Sequence, residues 1–431
     1  MFKISLGRLH VKPVGSPYSW SSRSLYQSAV CSSFRVTSPR WQSMPSFREE
    51  VARTRPEESF ADKFGKPRIG RHILFVFGGI SSVFAYAAFY TNMETGTWTN
   101  RLMPATKSSW VSQSVTNADL RRAYRIELVK KWRGWFASIT EEAQGIPKAI
   151  RPWIAAAYAA VLNPYGNSSE GKRLCWKICL FNAVVWLAWK VKRFEPKMNT
   201  RFMHNPLSGL TFTLLTSMFS HKSFLHLLAN CLALEGFGSA AYLYLVKEQD
   251  KAAPAQLEVS ASWHFLAFFV SAGLFSGLVS HVVATKFMYP RMVAKLSAPS
   301  TPVKANTWAS AVAVSSAPAA SVVKAAAPRP ILPSLGASGA IYASVTLTAL
   351  AFPDSQVSLI IPPSYPIDIQ TGVGALVLLD IIGAARGWRF FDHWAHLGGA
   401  AFGVAYYCYG PELWKCMRRT FDSTVRTPIT R

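Results

Sequence analysis

Residues 72–90 read HILFVFGGISSVFAYAAFY, a run of 19 residues without Lys, Arg, Asp or Glu. Lipid is the natural solvent for such a run. A helix of about 20 apolar residues crosses the hydrocarbon core of a bilayer, and inside it every backbone N–H and C=O finds its partner within the same segment. Working outward, segments of similar character recur at about 174–190, 223–246, 263–285, 335–352, 371–385 and 394–410. Half of the 431 residues are hydrophobic. The expected fold class is therefore an all-α polytopic membrane protein, with one additional N-terminal transmembrane helix, a polar stretch and a six-helix bundle.

The segments between these runs set the domain organisation. The first 48 residues hold seven Lys or Arg, twelve Ser and no acid, which is the composition of a mitochondrial presequence over residues 1–55. Residues 56–171 form an N-terminal region around the helix at 72–90. Within it, 119–150 is rich in charge and helix formers and is expected in water or on the membrane surface. Trp153 to Leu162 is apolar but too short to span, so it reads as an interfacial or packing segment. Residues 172–410 form the core. It includes a flexible linker at 286–334, which lacks acidic residues and is interrupted by Pro299, Pro302, Pro318, Pro328, Pro330 and Pro333. Residues 411–431 read as a basic C-terminal tail.

The net charge of +25 does not point to nucleic acid, because the basic residues lie in the N-terminal arm and the loops without a repeated basic-aromatic face. Loops rich in Lys and Arg are ordinary in membrane proteins, and here they flank both sides, so charge leaves the orientation open. The six cysteines show neither zinc-ligand spacing nor a disulfide framework. Cys175 and Cys179 share a helix face, yet a metal needs more ligands than two. No metal and no cofactor are expected.

Reactive polar residues inside the apolar bundle carry the chemical information, since a charge at mid-bilayer costs about 2.5 kcal/mol or more. Three clusters stand out. Gly336-Ala337-Ser338-Gly339 opens the fourth core segment; alone, a small-residue helix contact explains it. His396, Gly399 and Gly403 lie at i, i+3 and i+7 in the last segment, so an imidazole shares its face with two glycines. His221, His226 and Asn230 lead into the second segment, where His226 and Asn230 share a face and both can donate hydrogen bonds. A serine needs an adjacent base to become a nucleophile, and fixed donors in a low-dielectric site stabilise an oxyanion.

Together, His-x4-His-x3-Asn, Gly-x-Ser-Gly and Ala-His-x2-Gly-x3-Gly, in this order, resemble the rhomboid family of intramembrane serine proteases. The leading helix and the presequence resemble its mitochondrial branch. The resemblance implies a rhomboid-like six-helix bundle and a dyad without a carboxylate: Ser338 as nucleophile, His396 as general base and then acid. It implies His226 and Asn230 as oxyanion donors, Tyr342 packed on the imidazole, His221 at the mouth of the site, and Gly336, Gly339, Gly399 and Gly403 in support. It further implies residence in the mitochondrial inner membrane and transmembrane protein substrates, for example a dynamin-like GTPase or a cytochrome c peroxidase precursor.

Two intramembrane acids, Glu235 and Asp380, match none of these motifs and read as interhelical hydrogen-bond or gate residues. His264 and His281, at the ends of the third segment, read as interface residues. The competing expectations are a catalytically silent rhomboid-like protein that binds transmembrane helices, and a proton-coupled transporter. The first predicts loss of the serine or histidine, and the second predicts inverted repeats with broken helices, which the sequence does not show.

Overall fold

The computed structural model describes residues 67–106, 115–253, 255–297, 330–358 and 364–421. The expected presequence and residues 298–329 of the linker lie outside them. All seven apolar segments are helical: α1 (Gly70–Thr106), α4 (Glu170–Lys190), α6 (Phe224–Ala252) and α7 (Ser262–Lys295), α8 (Ser338–Ala351), α9 (Ile369–Arg386) and α10 (His393–Thr420). Between them lie α2 (Asn117–Glu142), α3 (Arg151–Asn167) and α5 (Glu195–Arg201). Residues 356–357 pair antiparallel with 367–368 in a short ribbon ahead of α9.

Among the described helices, α1, α6, α7 and α9 are each long and apolar enough to cross a membrane, and α4 with Lys192–Arg201 is a fifth candidate, bent by 94°. Large apolar side chains such as Leu180, Val184, Leu187, Leu378 and Ile381 remain uncovered, as a lipid-facing surface requires. The 14-residue α8 is only about 21 Å long, short of the roughly 30 Å hydrocarbon core. It can be short because protein surrounds it: ten of its residues, including Ile341, Val345 and Leu347, are buried.

Helix α7 is the centre of the bundle, with Phe265, Phe268 and Phe269 fully buried. It packs against α1, α8 and α10. Both of its terminal histidines sit at such interfaces: His264 Nε2 is 2.6 Å from the Tyr406 hydroxyl on α10, and the His281 ring stacks on His72 of α1 at 3.9 Å. Glu235 pairs with Lys172 at 2.7 Å and ties α6 to α4. It stands in a π-helical turn, Leu234–Gly238. The surface character expected for 119–150 and 153–162 agrees with exposed Trp135 and Ile139 on α2 and with α3, which buries no residue.

Two expected boundaries move. Helix α7 includes a π-helical turn, Ala284–Met288, and its helical structure reaches Ser297, so the first part of the 286–334 linker is helical. The supposed tail is also partly structured, because α10 runs on to Thr420 and buries Trp414 and Arg418. The cause is a buried acid. Glu258, in the loop before α7, accepts from Arg418 Nη1 at 3.1 Å, Trp414 Nε1 at 3.2 Å and Gln249 Nε2 at 2.5 Å. Arg418 Nε also donates to Asn92 Oδ1 at 2.8 Å, which locks the leading helix α1 onto α10. Removing one partner of a buried ion pair strands the other charge, so Arg418→Ala should cost about 3–5 kcal/mol. Thermal unfolding in detergent measures it.

His204, in the turn before α6, bonds to Thr213 Oγ1 at 2.9 Å and lies 3.0 Å from His281 Nδ1. Burial, aided by the two neighbouring histidines, pushes its imidazole from the usual 6.5 down to about 3. The folded state therefore prefers the neutral ring. Its contribution to stability is complete above about pH 6.5 and is lost as pH falls toward 3. Thermal unfolding followed across that range should show a declining midpoint, and the decline should be shallower in His204→Gln.

Candidate active site

Ser338 is the first residue of α8, and the approach to it is fixed by backbone bonds. His204 and Ser334 form an antiparallel bridge with both N–H···O bonds at 2.9 Å, and Gly336 N–H donates to Ser217 O at 2.9 Å. Gly336 then turns the chain at φ +126°. A side chain is disfavoured there twice over: that φ suits glycine, and a Cβ would stand 2.8 Å from the His226 ring. One residue on, the Ala337 N–H points at His221 Nε2, 3.4 Å away. His221 is fully buried, and burial beside His226 pushes it down to about 4, so the ring is neutral near pH 7.

His396 is presented from the first turn of α10. Asp392 caps that helix by accepting from the Ala395 N–H at 3.1 Å, and is itself held by Ser280 Oγ at 2.6 Å. The two helices then meet backbone to backbone. A Cβ on Gly399 would collide with the Gly339 carbonyl, and one on Gly403 with Thr346 and the Ala343 carbonyl. A Cβ on Gly339 would strike Ser276 of α7. At this separation Ser338 Oγ and His396 Nε2 are 2.9 Å apart. The Tyr342 ring lies on the imidazole at 4.4 Å, tilted by 11°, which limits its rotation.

The sequence-derived residues thus converge, with two differences. His226 lines a cavity of about 1420 Å³ together with Ser338 and His396. Asn230 does not line it; its Nδ2 donates to the His226 carbonyl at 2.8 Å. The second difference concerns Asp380. Its carboxylate lies 3.2 Å and 3.3 Å from His396 Nδ1, so the imidazole expected to work without a carboxylate has one. Asp380 also meets His393 Nδ1 at 2.5 Å and accepts from the Tyr342 hydroxyl. These are the interhelical hydrogen bonds expected of Asp380, although the sequence offsets did not tie it to His396. The available signal was an acid inside an apolar helix, which must find partners. Among the described residues, no group of three or more His, Cys, Asp or Glu could hold a metal ion.

Ser338 thus presents its hydroxyl within hydrogen-bond reach of the His396 imidazole, and both residues line the cavity. Residues 208–411 match the rhomboid domain. The chain is 31% identical over 270 residues to the presenilin-associated rhomboid-like protein, mitochondrial, of Mus musculus, covering 62% of this chain and 57% of that protein. The Homo sapiens protein of the same name is 30% identical over 286 residues, 65% of this chain and 57% of its own length. Rhomboid protein 1, mitochondrial, of Saccharomyces cerevisiae is 25% identical over 241 residues, 55% and 53% of the two chains. Residues 208–411 thus carry a rhomboid domain, and the chain is similar to mitochondrial rhomboid proteins. It is a polytopic mitochondrial membrane protein that spans just over half the length of the mammalian relatives it matches.

Replacing Gly336 by Ala forces a residue with a side chain into φ +126° against the His226 ring. The expected cost is about 1–3 kcal/mol of stability, together with weakened reactivity of Ser338. The unfolding midpoint and the rate of serine labelling read the two effects separately.

Proposed function

We propose that this chain is an intramembrane serine endopeptidase of the mitochondrial inner membrane, which hydrolyses peptide bonds in or near transmembrane segments of membrane-anchored proteins. The observation that carries this reading is the 2.9 Å approach of Ser338 Oγ to His396 Nε2 across two helices of an apolar bundle. In the proposed reaction His396 takes the Ser338 proton as the oxygen attacks the scissile carbonyl, then returns it to the departing amine. Water enters by the cavity, and His396 activates it to release the acyl group from Ser338.

The tetrahedral oxyanion would be met by the His226 ring and the Ser338 backbone N–H at the start of α8, while Asn230 braces the His226 turn through its bond to the His226 carbonyl. His221 accepts from the neighbouring backbone and holds the turn under Ser338. A substrate helix must open locally to present its carbonyl, so segments rich in helix-weakening residues are the preferred class. A dynamin-like GTPase of the fusion machinery and a cytochrome c peroxidase precursor are the first two to try. The alternative of a catalytically silent helix-binding protein is disfavoured by the presence of both Ser338 and His396.

The purified protein should cleave a helix-weakened transmembrane substrate in detergent. Ser338→Ala and His396→Ala should each lower kcat by more than about 10³-fold, and His226→Ala by about 10²-fold. A fluorophosphonate should label the wild type and not Ser338→Ala. Cleavage that persists in either dyad variant would overturn the assignment.

A further inference from the structure

Asp380 meets two histidine rings and a tyrosine hydroxyl. Oδ1 faces His393 Nδ1 at 2.5 Å and His396 Nδ1 at 3.2 Å; Oδ2 faces His396 Nδ1 at 3.3 Å and receives the Tyr342 hydroxyl. These contacts come from three helices: α8 supplies Tyr342, α9 the carboxylate and α10 both histidines. An ionised carboxylate only accepts, and here three groups, His393 Nδ1, His396 Nδ1 and the Tyr342 hydroxyl, converge on its two oxygens. The group is 3% exposed and does not line the cavity, so it stands behind the imidazole rather than beside the substrate. Leaving an acid this deep without such partners would be costly, and two of its three partners are His396 itself and Tyr342, which stacks on the His396 ring.

The geometry points to Asp380 as a positioning residue that holds His396 in the Nδ1–H tautomer, so that Nε2 faces Ser338 as an acceptor, and this inference rests on reading Ser338 and His396 as the reacting pair. The neutral imidazole has one N–H and one bare nitrogen, and which is which depends on what each nitrogen faces. A carboxylate can only accept. Nδ1 must therefore carry the proton, and Nε2 is left free to accept from the Ser338 hydroxyl 2.9 Å away. When His396 takes that proton, the resulting positive charge lies against the carboxylate, which stabilises it in a low-dielectric setting. Tyr342 serves both partners: its ring stacks on the imidazole and its hydroxyl holds Oδ2, so the carboxylate and the ring are fixed relative to each other. His393 steadies Oδ1 from the other side.

Asp380→Asn tests this, since the amide keeps the volume but puts an N–H where an acceptor is needed. In serine hydrolases that use such a carboxylate the equivalent change costs up to about 10⁴-fold, chiefly through the wrong tautomer. With Tyr342 still stacked on the ring, kcat and the fluorophosphonate labelling rate of Asp380→Asn should fall by about 10²-fold or more while KM stays within about 2-fold. Asp380→Glu should recover part of the loss. A packing role would instead lower the unfolding midpoint and shift KM and kcat together, without rescue by Glu. Because a buried substitution can prevent folding, ¹⁵N-imidazole NMR of the wild-type chain gives a second readout. It should show His396 as the Nδ1–H tautomer, also in Ser338→Ala. An Nε2–H tautomer, or an Asp380→Asn variant that labels within about 3-fold of wild type, would overturn the inference. The tautomer measurement needs no turnover, so a protein that neither labels nor cleaves would refute the protease reading while the role of Asp380 is still decided by the NMR result.

Discussion

The contact on which the rest of the structure depends is the backbone-to-backbone meeting of α8 and α10. Helices usually pack 8–10 Å apart because side chains intervene. Here Gly399 and Gly403 remove them, and the Gly339 and Ala343 carbonyls occupy the space a Cβ would need. Thr346 Oγ1 closes the same seam by donating to the Ala400 carbonyl at 3.2 Å. In lipid, where association gains little from the hydrophobic effect, such close packing is what holds helices together. It also sets the chemistry, since a separation larger by one methyl group would take Ser338 out of reach of His396.

The second constraint is that polar groups placed in an apolar bundle must all find partners. The structure meets it with two separate networks. Glu258, Arg418, Asn92, Trp414 and Gln249 satisfy one another and bind the leading helix to the last one. Asp380, His393, His396 and Tyr342 do the same behind Ser338. The first network is structural, because none of its members lines the large cavity. The second adjoins the cavity through His393 and His396. A buried ion pair rarely adds much net stability over apolar packing, but it penalises every arrangement in which one partner is left alone. That penalty selects a single register among helices whose outer faces are nearly featureless.

Much of this was legible in the chain itself. The uncharged runs located the helices, and the small-residue faces around Ser338 and His396 marked which ones must touch. Boundaries were less secure where composition misled. Residues 286–297 look like the proline-broken linker that follows them, yet they continue α7 because Val293 and Tyr289 find buried positions. Arg418 looks like one more basic residue of a tail. Its partner Glu258 lies 160 residues earlier, a distance at which no local pattern can signal a contact.

By itself, then, the sequence determined the solvent of this protein, the order of its helices and the small-residue faces that carry Ser338 and His396. Those features depend on composition and on short spacings along one helix, which the chain carries locally. Only the tertiary structure decided that Asp380 stands on His396 Nδ1, that Asn230 turns to the His226 carbonyl instead of the cavity, and that α1 is bound to α10 through Asn92 and Arg418. Each of these is a hydrogen bond between different helices or turns on the direction a side chain takes in the assembled bundle. Hydrogen-bond geometry of this kind arises only when the packing of several helices has set their distances and rotations together.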